Sequence, residues 1–290
     1  MIGRASSAGA APSLPCAARS AIATVVVAAA VIAGAAGCHE APPAARPTPG
    51  PAAAELREAL SARQAAVRSM NARVRATSWI GGDRLRASVL MLVTRAGQLR
   101  FEAEVSLQGT VSILATDGER FALLDLQKNQ LRRGPACPAN VASLIRIPLA
   151  PSEVAAILLG DVELPAGAGG GCDRVSWDGA RGADVLSCSD GGGGRTLLSF
   201  QEHGRDRDLV AVVREDARGA RLWQTAYDDL RSVSTVRLPA VIRFAEGTAS
   251  FDQGVEVKFK DVTINGPPRP EDFTLNAPPG VTVLDQPCPS

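Results

Sequence analysis

Histidine is nearly absent from this chain: His39 and His203 are the only two in 290 residues. His39 lies in a proline-rich stretch, so one imidazole is left for the folded part. That excludes a histidine metal cage and leaves no catalytic triad to build. Lysine is nearly as scarce, with Lys128, Lys258 and Lys260 alone, and aromatic residues make up 4%. Arginine therefore carries the positive charge. With 31 basic against 30 acidic residues, the chain lacks the basic excess of a nucleic-acid binder. The absence of any Cys-x-x-Cys pair argues against a zinc site. Gly167 to Gly171 and Gly191 to Gly194 lack the strand and helix that flank a phosphate loop, and read as hairpin loops. Asp228-Asp229 and Asp206-x-Asp208 read as solvated turns rather than calcium ligands. With no titratable cluster in view, no enzyme activity, cofactor or metal is expected.

What is present starts with an export pattern. Arg4 and Arg19 form a short positive region, Ala21 to Ala33 an apolar run, and Ala35-Ala36-Gly37 a small-residue site before Cys38. This is the order of a lipoprotein signal, in which cleavage before the cysteine is accompanied by acylation, for instance with palmitate. Ala35 stands where such signals usually carry leucine. The apolar run is shorter than the ~20 residues of a spanning helix; plain export and an uncleaved anchor are the alternatives. Residues 1–37 are thus expected to be a signal peptide. Residues 38–54, with Pro42, Pro43, Pro47, Pro49 and Pro51, are expected to be a Pro/Ala tether that forms no core. Several acyl chains anchor a protein stably without spanning the membrane. Because His39 rather than aspartate follows Cys38, residence in the outer membrane, on its periplasmic face, is expected. Loss of residues 1–37 leaves 29 basic and 30 acidic residues. Residues 55–290 are expected to form a single domain.

Four cysteines remain beyond Cys16 and Cys38, an even number for an oxidising compartment. Cys172 and Cys188 lie symmetrically about Ala180, so a hairpin turning at Asp178 to Gly182 sets them opposite each other. Cys137 with Cys288 is the remaining pair and would staple the C-terminal tail to the middle of the domain. Free buried thiols are the rival reading.

Glu55 to Met70 carries Leu56, Leu60, Val67 and Met70 near helical spacing and predicts a helix. From Asn71 the period shortens: Arg84 to Thr94 and the strictly alternating Leu99 to Val105 predict strands around Gly97. Asp117-Gly118 predicts a hairpin between Val111–Thr116 and Arg120–Leu126. Lys128-Asn129 turns the chain into Gln130 to Arg133. Pro138 to Ile145 and Ser152 to Leu159 predict two short helices, the second stopped by Gly160. Strands then resume through Trp177, Val185, Leu197 to Phe200, Leu209 to Arg214, Leu222 to Tyr227, Val241 to Phe244 and Val255 to Ile264. Phe273 to Leu275 and Val281 to Leu284 close the chain.

This arrangement, the helical words Asn140 to Leu149 and Glu153 to Gly160, and the closing Asp272-Phe273-Thr274-Leu275 with Pro278-Pro279-Gly280-Val281 resemble the LolA/LolB-like lipoprotein carriers and receptors. The resemblance spans roughly Glu55 to Leu284. It implies a mainly β, α+β fold: a curved antiparallel sheet forming an incomplete half β-barrel around short helices, with an apolar cavity between. A curved sheet incompletely covered by helices leaves a dry concave space suited to acyl chains. Its expected lining is Leu90, Leu92, Phe101, Ala103, Ile113, Phe121 and Leu123 from the strands, with Leu144, Ile145, Ile157 and Leu158 from the helices. Leu107 matches the exposed leucine that receptor-type members carry after the third strand, although Ser106 and Gln108 depart from the Pro-Leu-Gly pattern. The expected partners are lipid or lipoprotein acyl chains, the membrane through the anchor, and a periplasmic carrier protein; the expected role is lipoprotein or lipid traffic. A lipid-anchored sensor or assembly protein, using the same fold to bind a protein or glycolipid, is the alternative.

Overall fold

Short alternating segments punctuated by Asp and Gly pair most readily with their sequence neighbours, and that rule governs the whole chain. A computed structural model describes residues 45–46, 48–80, 83–105, 109–164 and 171–289. Fourteen strands form a single curved, open sheet: β1 (Ser69–Ile80), β2 (Asp83–Thr94), β3 (Leu99–Val105), β4 (Gly109–Thr116), β5 (Arg120–Asp125), β6 (Gln130–Pro135), β7 (Cys172–Asp178), β8 (Ala183–Ser189), β9 (Arg195–His203), β10 (Asp206–Glu215), β11 (Arg221–Val233), β12 (Val236–Glu246), β13 (Val255–Ile264) and β14 (Thr282–Asp285). Two antiparallel meanders, β1 to β6 and β7 to β13, are zipped together by β1 on β13. β14 adds in parallel beside β6, which leaves β7 and β14 as the edges. Three helices accompany the sheet: α1 (Ala53–Ala66), α2 (Pro138–Ile145) and α3 (Pro151–Leu158). Since α2 and α3 carry the chain from β6, near one edge, to β7 at the other, they run across the hollow side. There Val141, Val154, Ala155, Ile157, Leu158 and Leu159 join one core with the inward residues of both meanders.

The turns share one chemical device. Asp117, Asp125, Asp178, Asp190 and Asp216 each accept backbone N–H groups two to four residues ahead through one carboxylate oxygen. A short acidic side chain that replaces the missing ladder bonds in this way fixes a tight reversal. The run Gly191 to Gly194 is therefore the turn under Asp190.

Two sequence expectations need correction. The first helix ends at Ala66 rather than Met70, because two distant side chains capture its last carbonyls. Asn265 Nδ2 donates to Ala66 O (2.8 Å), and the Arg95 guanidinium donates to Val67 O (3.1 and 2.9 Å). The chain then leaves in extended geometry at Val67, and Met70 is a buried inward residue of β1. The end of the expected tether also packs: Pro51 is buried, and Thr48, Pro49 and Pro51 border a depression with Trp177 and Phe200. Both disulfides are present. Cys172 and Cys188 are opposite each other in the β7–β8 register, and Cys137 at the start of α2 joins Cys288 beyond β14. Cys38, Leu107 and most of Gly167 to Gly171 lie outside the described residues.

One buried polar knot locks helix to sheet. Asp161, fully buried just after α3, accepts from Arg95 Nη1 at 2.9 Å and from the Val162 N–H at 2.7 Å. The Tyr227 hydroxyl of β11 donates to the Asp161 carbonyl. Arg63 of α1 donates to Gly160 O (2.8 Å) and Arg237 O (2.6 Å). Gly160 sits at φ +72°, and a Cβ there would lie 2.6 Å from Arg63 Nη2 and 2.7 Å from Pro239 Cδ, so only glycine fits. Burial pushes the Asp161 carboxyl above the usual carboxylate range, against the pull of the Val162 N–H, Arg95 and Arg63. Burial likewise lowers Arg63 and raises the Tyr227 phenol. Removing one member of such a group strands the others, a loss of about 3–5 kcal/mol. Asp161→Asn is therefore expected to lower unfolding free energy by that amount in urea titration, and a change below ~1 kcal/mol would refute the knot's importance.

Candidate functional site

The inward rows of the first meander narrow from large side chains to a pair of alanines near the β1–β2 tip. Cross-strand partners Met70, Val93 and Leu99 are fully buried, and Ala72, Met91 and Phe101 form the next row. Beyond them come Val74, Val89 and Ala103, then Ala76 and Ala87 with Val257 of β13, then Ser78 and Leu85 with Val255. Where alanines face one another across neighbouring strands, the sheet cannot fill the space under α2. A cavity of about 270 Å³ results. Its deep end is Met91, Phe101 and Leu158; its roof is Leu144, Ile145 and Ile147, from α2 and the residues after it. Thr77, Ser78, Arg86, Ser143 and Arg146 are the polar positions on an otherwise apolar wall. Leu85, 53% exposed, and Val105, 42% exposed, put apolar side chains at the same end of the sheet. Residues 106–108 follow Val105 directly.

Of the residues expected to line a cavity, the structure brings Phe101, Ala103, Leu144, Ile145 and Leu158 to its wall. Phe121, Leu123 and Ile157 are buried in the core cluster away from it. Leu90, Leu92 and Ile113 belong to the opposite face, a correction with a clear cause. Val89 to Val93 are five consecutive apolar residues, so the period-2 rule detects the strand and leaves its phase open. Both faces are covered here. Leu90, Ile113, Leu124 and Leu131 fall in one cross-strand row with Glu102, and the turn Pro270–Phe273 lies against the outer side of β3 and β4. Phe273 is buried, and Arg100 Nη1 donates to the Asp272 carbonyl at 3.1 Å. Sequence reasoning missed the alanine floor, Ala76 and Ala87, because small residues carry little signal in a hydrophobic pattern. Among the described residues, no cluster of His, Cys, Asp or Glu is placed to hold a metal ion.

No protein-family model matches the chain, and no curated protein matches it. Solved structures do. A LolA superfamily protein from Nitrosomonas europaea aligns over 78% of this chain and 99% of its own, with a TM-score of 0.51 at 12% identity. A putative outer membrane lipoprotein-sorting protein domain from Vibrio parahaemolyticus aligns over 77% and 95%, at TM-score 0.48 and 11% identity. A DUF1329 family protein from Desulfovibrio piger aligns over 77% and 94%, at TM-score 0.48 and 9% identity. By its likeness to the first of these, the chain has the LolA-like fold, an open, curved sheet wrapped about short helices.

A bulky residue on the alanine floor tests the cavity. Ala103→Trp is expected to remain folded at a cost of about 1–3 kcal/mol, typical of overpacking, and to lose most uptake of a fluorescent fatty acid. Leu90→Trp, on the outer face, is expected to retain it. Undiminished uptake by a folded Ala103→Trp protein would remove Ala103 from the site.

Proposed function

We propose that this protein binds acyl chains in the cavity under α2 and acts in lipoprotein or lipid traffic at the periplasmic face of the outer membrane. The observation that carries the reading is the alanine floor. Larger side chains at Ala76 and Ala87 would fill the space under α2 and gain packing there. The small residues instead keep an apolar space open at one end, the form a ligand site takes. At about 270 Å³ it falls just below the ~300–1,000 Å³ usual for small-molecule sites, which suits a slender chain better than a ring system.

The fold supports the same reading, since the structural relatives include a LolA superfamily protein and a putative lipoprotein-sorting domain. The lipoprotein-like signal ending at Cys38 supplies the location. Leu107, beside the exposed Val105 and within the β3–β4 connection, is the candidate for contact with membrane or cargo during transfer, and a periplasmic carrier is the candidate donor. The function is one of binding rather than turnover: the buried carboxylates Asp161, Asp184 and Asp208 are paired with arginines away from the cavity, and among the described residues the cavity wall carries no nucleophile beside a base.

Mass spectrometry of lipids that co-purify with the protein tests the binding reading; recovery of acyl lipids from the parent but not from Ala103→Trp is expected. Equal lipid content in both would set the ligand elsewhere. For the anchor, Cys38→Ser is expected to block acylation and release the protein from the outer-membrane fraction, and its persistence there would refute lipid anchoring.

A further inference from the structure

The cavity wall carries charge of one sign only. Arg86 and Arg146 are its sole charged residues, and no carboxylate lines it among the described residues. The two arginines differ in placement. Arg86 is opposite Thr77 in the β1–β2 register, on the strand phase that faces outward, whereas its neighbour Leu85 shares the inward row with Ser78. Arg146 ends α2 directly after the roof residues Leu144 and Ile145, and also borders the shallow depression beside the cavity, where Glu246 is the one acidic residue. No ion pair involves Arg146 among the described residues, so its charge is not neutralised by Glu246 or any other described carboxylate.

The backbone at Arg146 sharpens the point. Its φ is +60°, the left-handed geometry that closes a helix and that glycine or asparagine adopts most cheaply. Its N–H bonds to the Ala142 carbonyl, which glycine would do equally well. An arginine at this position has its reason in the side chain. We propose, building on the acyl-chain reading above, that the cavity selects amphiphiles with a negatively charged head, the chain lying on the alanine floor and the head meeting the Arg146 guanidinium at the mouth. A guanidinium matches carboxylate and phosphate oxygens in a planar, two-pronged hydrogen-bonding geometry, and it cannot lose its charge at working pH.

Displacement of the neutral probe N-phenyl-1-naphthylamine from the full chain, at mildly alkaline pH, separates the possibilities with three ligands of one chain length: dodecanoate, dodecanol and dodecyltrimethylammonium. Dodecanoate is expected to displace the probe at about three- to fivefold lower concentration than dodecanol, the range of a solvent-facing ion pair, with the cation weakest. The difference is expected to shrink between about 10 mM and about 0.5 M salt. Arg146→Gly relieves the left-handed backbone, so this variant is expected to melt no lower than the parent and to bind dodecanoate and dodecanol alike. Arg75→Gln, at an exposed arginine of β1 off the cavity wall, is expected to keep the parent's preference. Equal displacement by dodecanoate and dodecanol in the parent would overturn the proposal, as would a preference that survives Arg146→Gly or falls equally in Arg75→Gln. If none of the three ligands displaces the probe, the acyl-chain reading falls with it.

Discussion

A wide, open sheet has no closed ring of hydrogen bonds to hold its curvature, so something must tie its hollow side together. Here that tie is the Asp161 carboxylate and the groups gathered about it. Arg95 comes from the turn after β2 and bonds the carboxylate, Tyr227 from β11 bonds the Asp161 carbonyl, and Arg63 from α1 bonds the carbonyl of the neighbouring Gly160, so both meanders and the N-terminal helix meet at Gly160 and Asp161, just beyond α3. Apolar packing could bury as much surface but would not fix which turn of α3 faces which strand. Charged partners with few alternative geometries do so in this case, at the expense of desolvating them. Gly160 completes the arrangement by letting α3 end within reach of Arg63, in a backbone geometry closed to other residues.

With that end clamped, the opposite end of the same hollow stays open. The interior grades from the fully buried Met70, Val93 and Leu99 to Ala76, Ala87 and Ser78, which line the cavity. The gradient matters more than any single lining residue. Stability is concentrated at the clamped end, so that loosely packed residues at the other end need contribute little. That division lets a binding site tolerate filling and emptying without unfolding the domain.

Much of this was legible in the sequence. Most strand positions other than β1, both short helices and the Cys172–Cys188 pairing follow from alternation, proline starts, glycine stops and symmetry about a turn, and Cys137–Cys288 is then the pair left over. The phase of β2 and β4 did not follow, and the reason is physical. Alternation reports a face only when the other face is wet, and here the Pro270–Phe273 turn covers the outer side of β3 and β4 while Leu124 and Leu131 are buried in the same outer row. The first helix was over-extended because Val67 and Met70 fit its period, while the groups that end it, Asn265 and Arg95, are remote in sequence. The knot itself was invisible for the same reason. Asp161, Arg63, Arg95 and Tyr227 show no motif spacing, and only the crossing of α2 and α3 from one side of the sheet to the other brings them together.

The roof of the cavity is attached unevenly, and this bears on how a chain could enter. At the start of α2, the Cys137–Cys288 bridge and a reciprocal Asn140–Gln286 pair bind the helix to the β14 segment. Asn140 Nδ2 also donates to the Pro135 carbonyl at 2.9 Å. β14 reaches this place because Gly134 has no Cβ, which would lie 2.0 Å from the Gln286 carbonyl oxygen. Toward its other end α2 presents half-buried Leu144 and Ile145 and exposed Arg146, with no side-chain hydrogen bonds to the sheet among the described residues. At its other end the roof is held by apolar contacts, with Ile147 buried in the core. A chain entering beside Leu144 to Arg146 therefore has no side-chain hydrogen bond of α2 to the sheet to displace among the described residues, whereas the Cys137 end is closed by a covalent bridge and the Asn140–Gln286 pair.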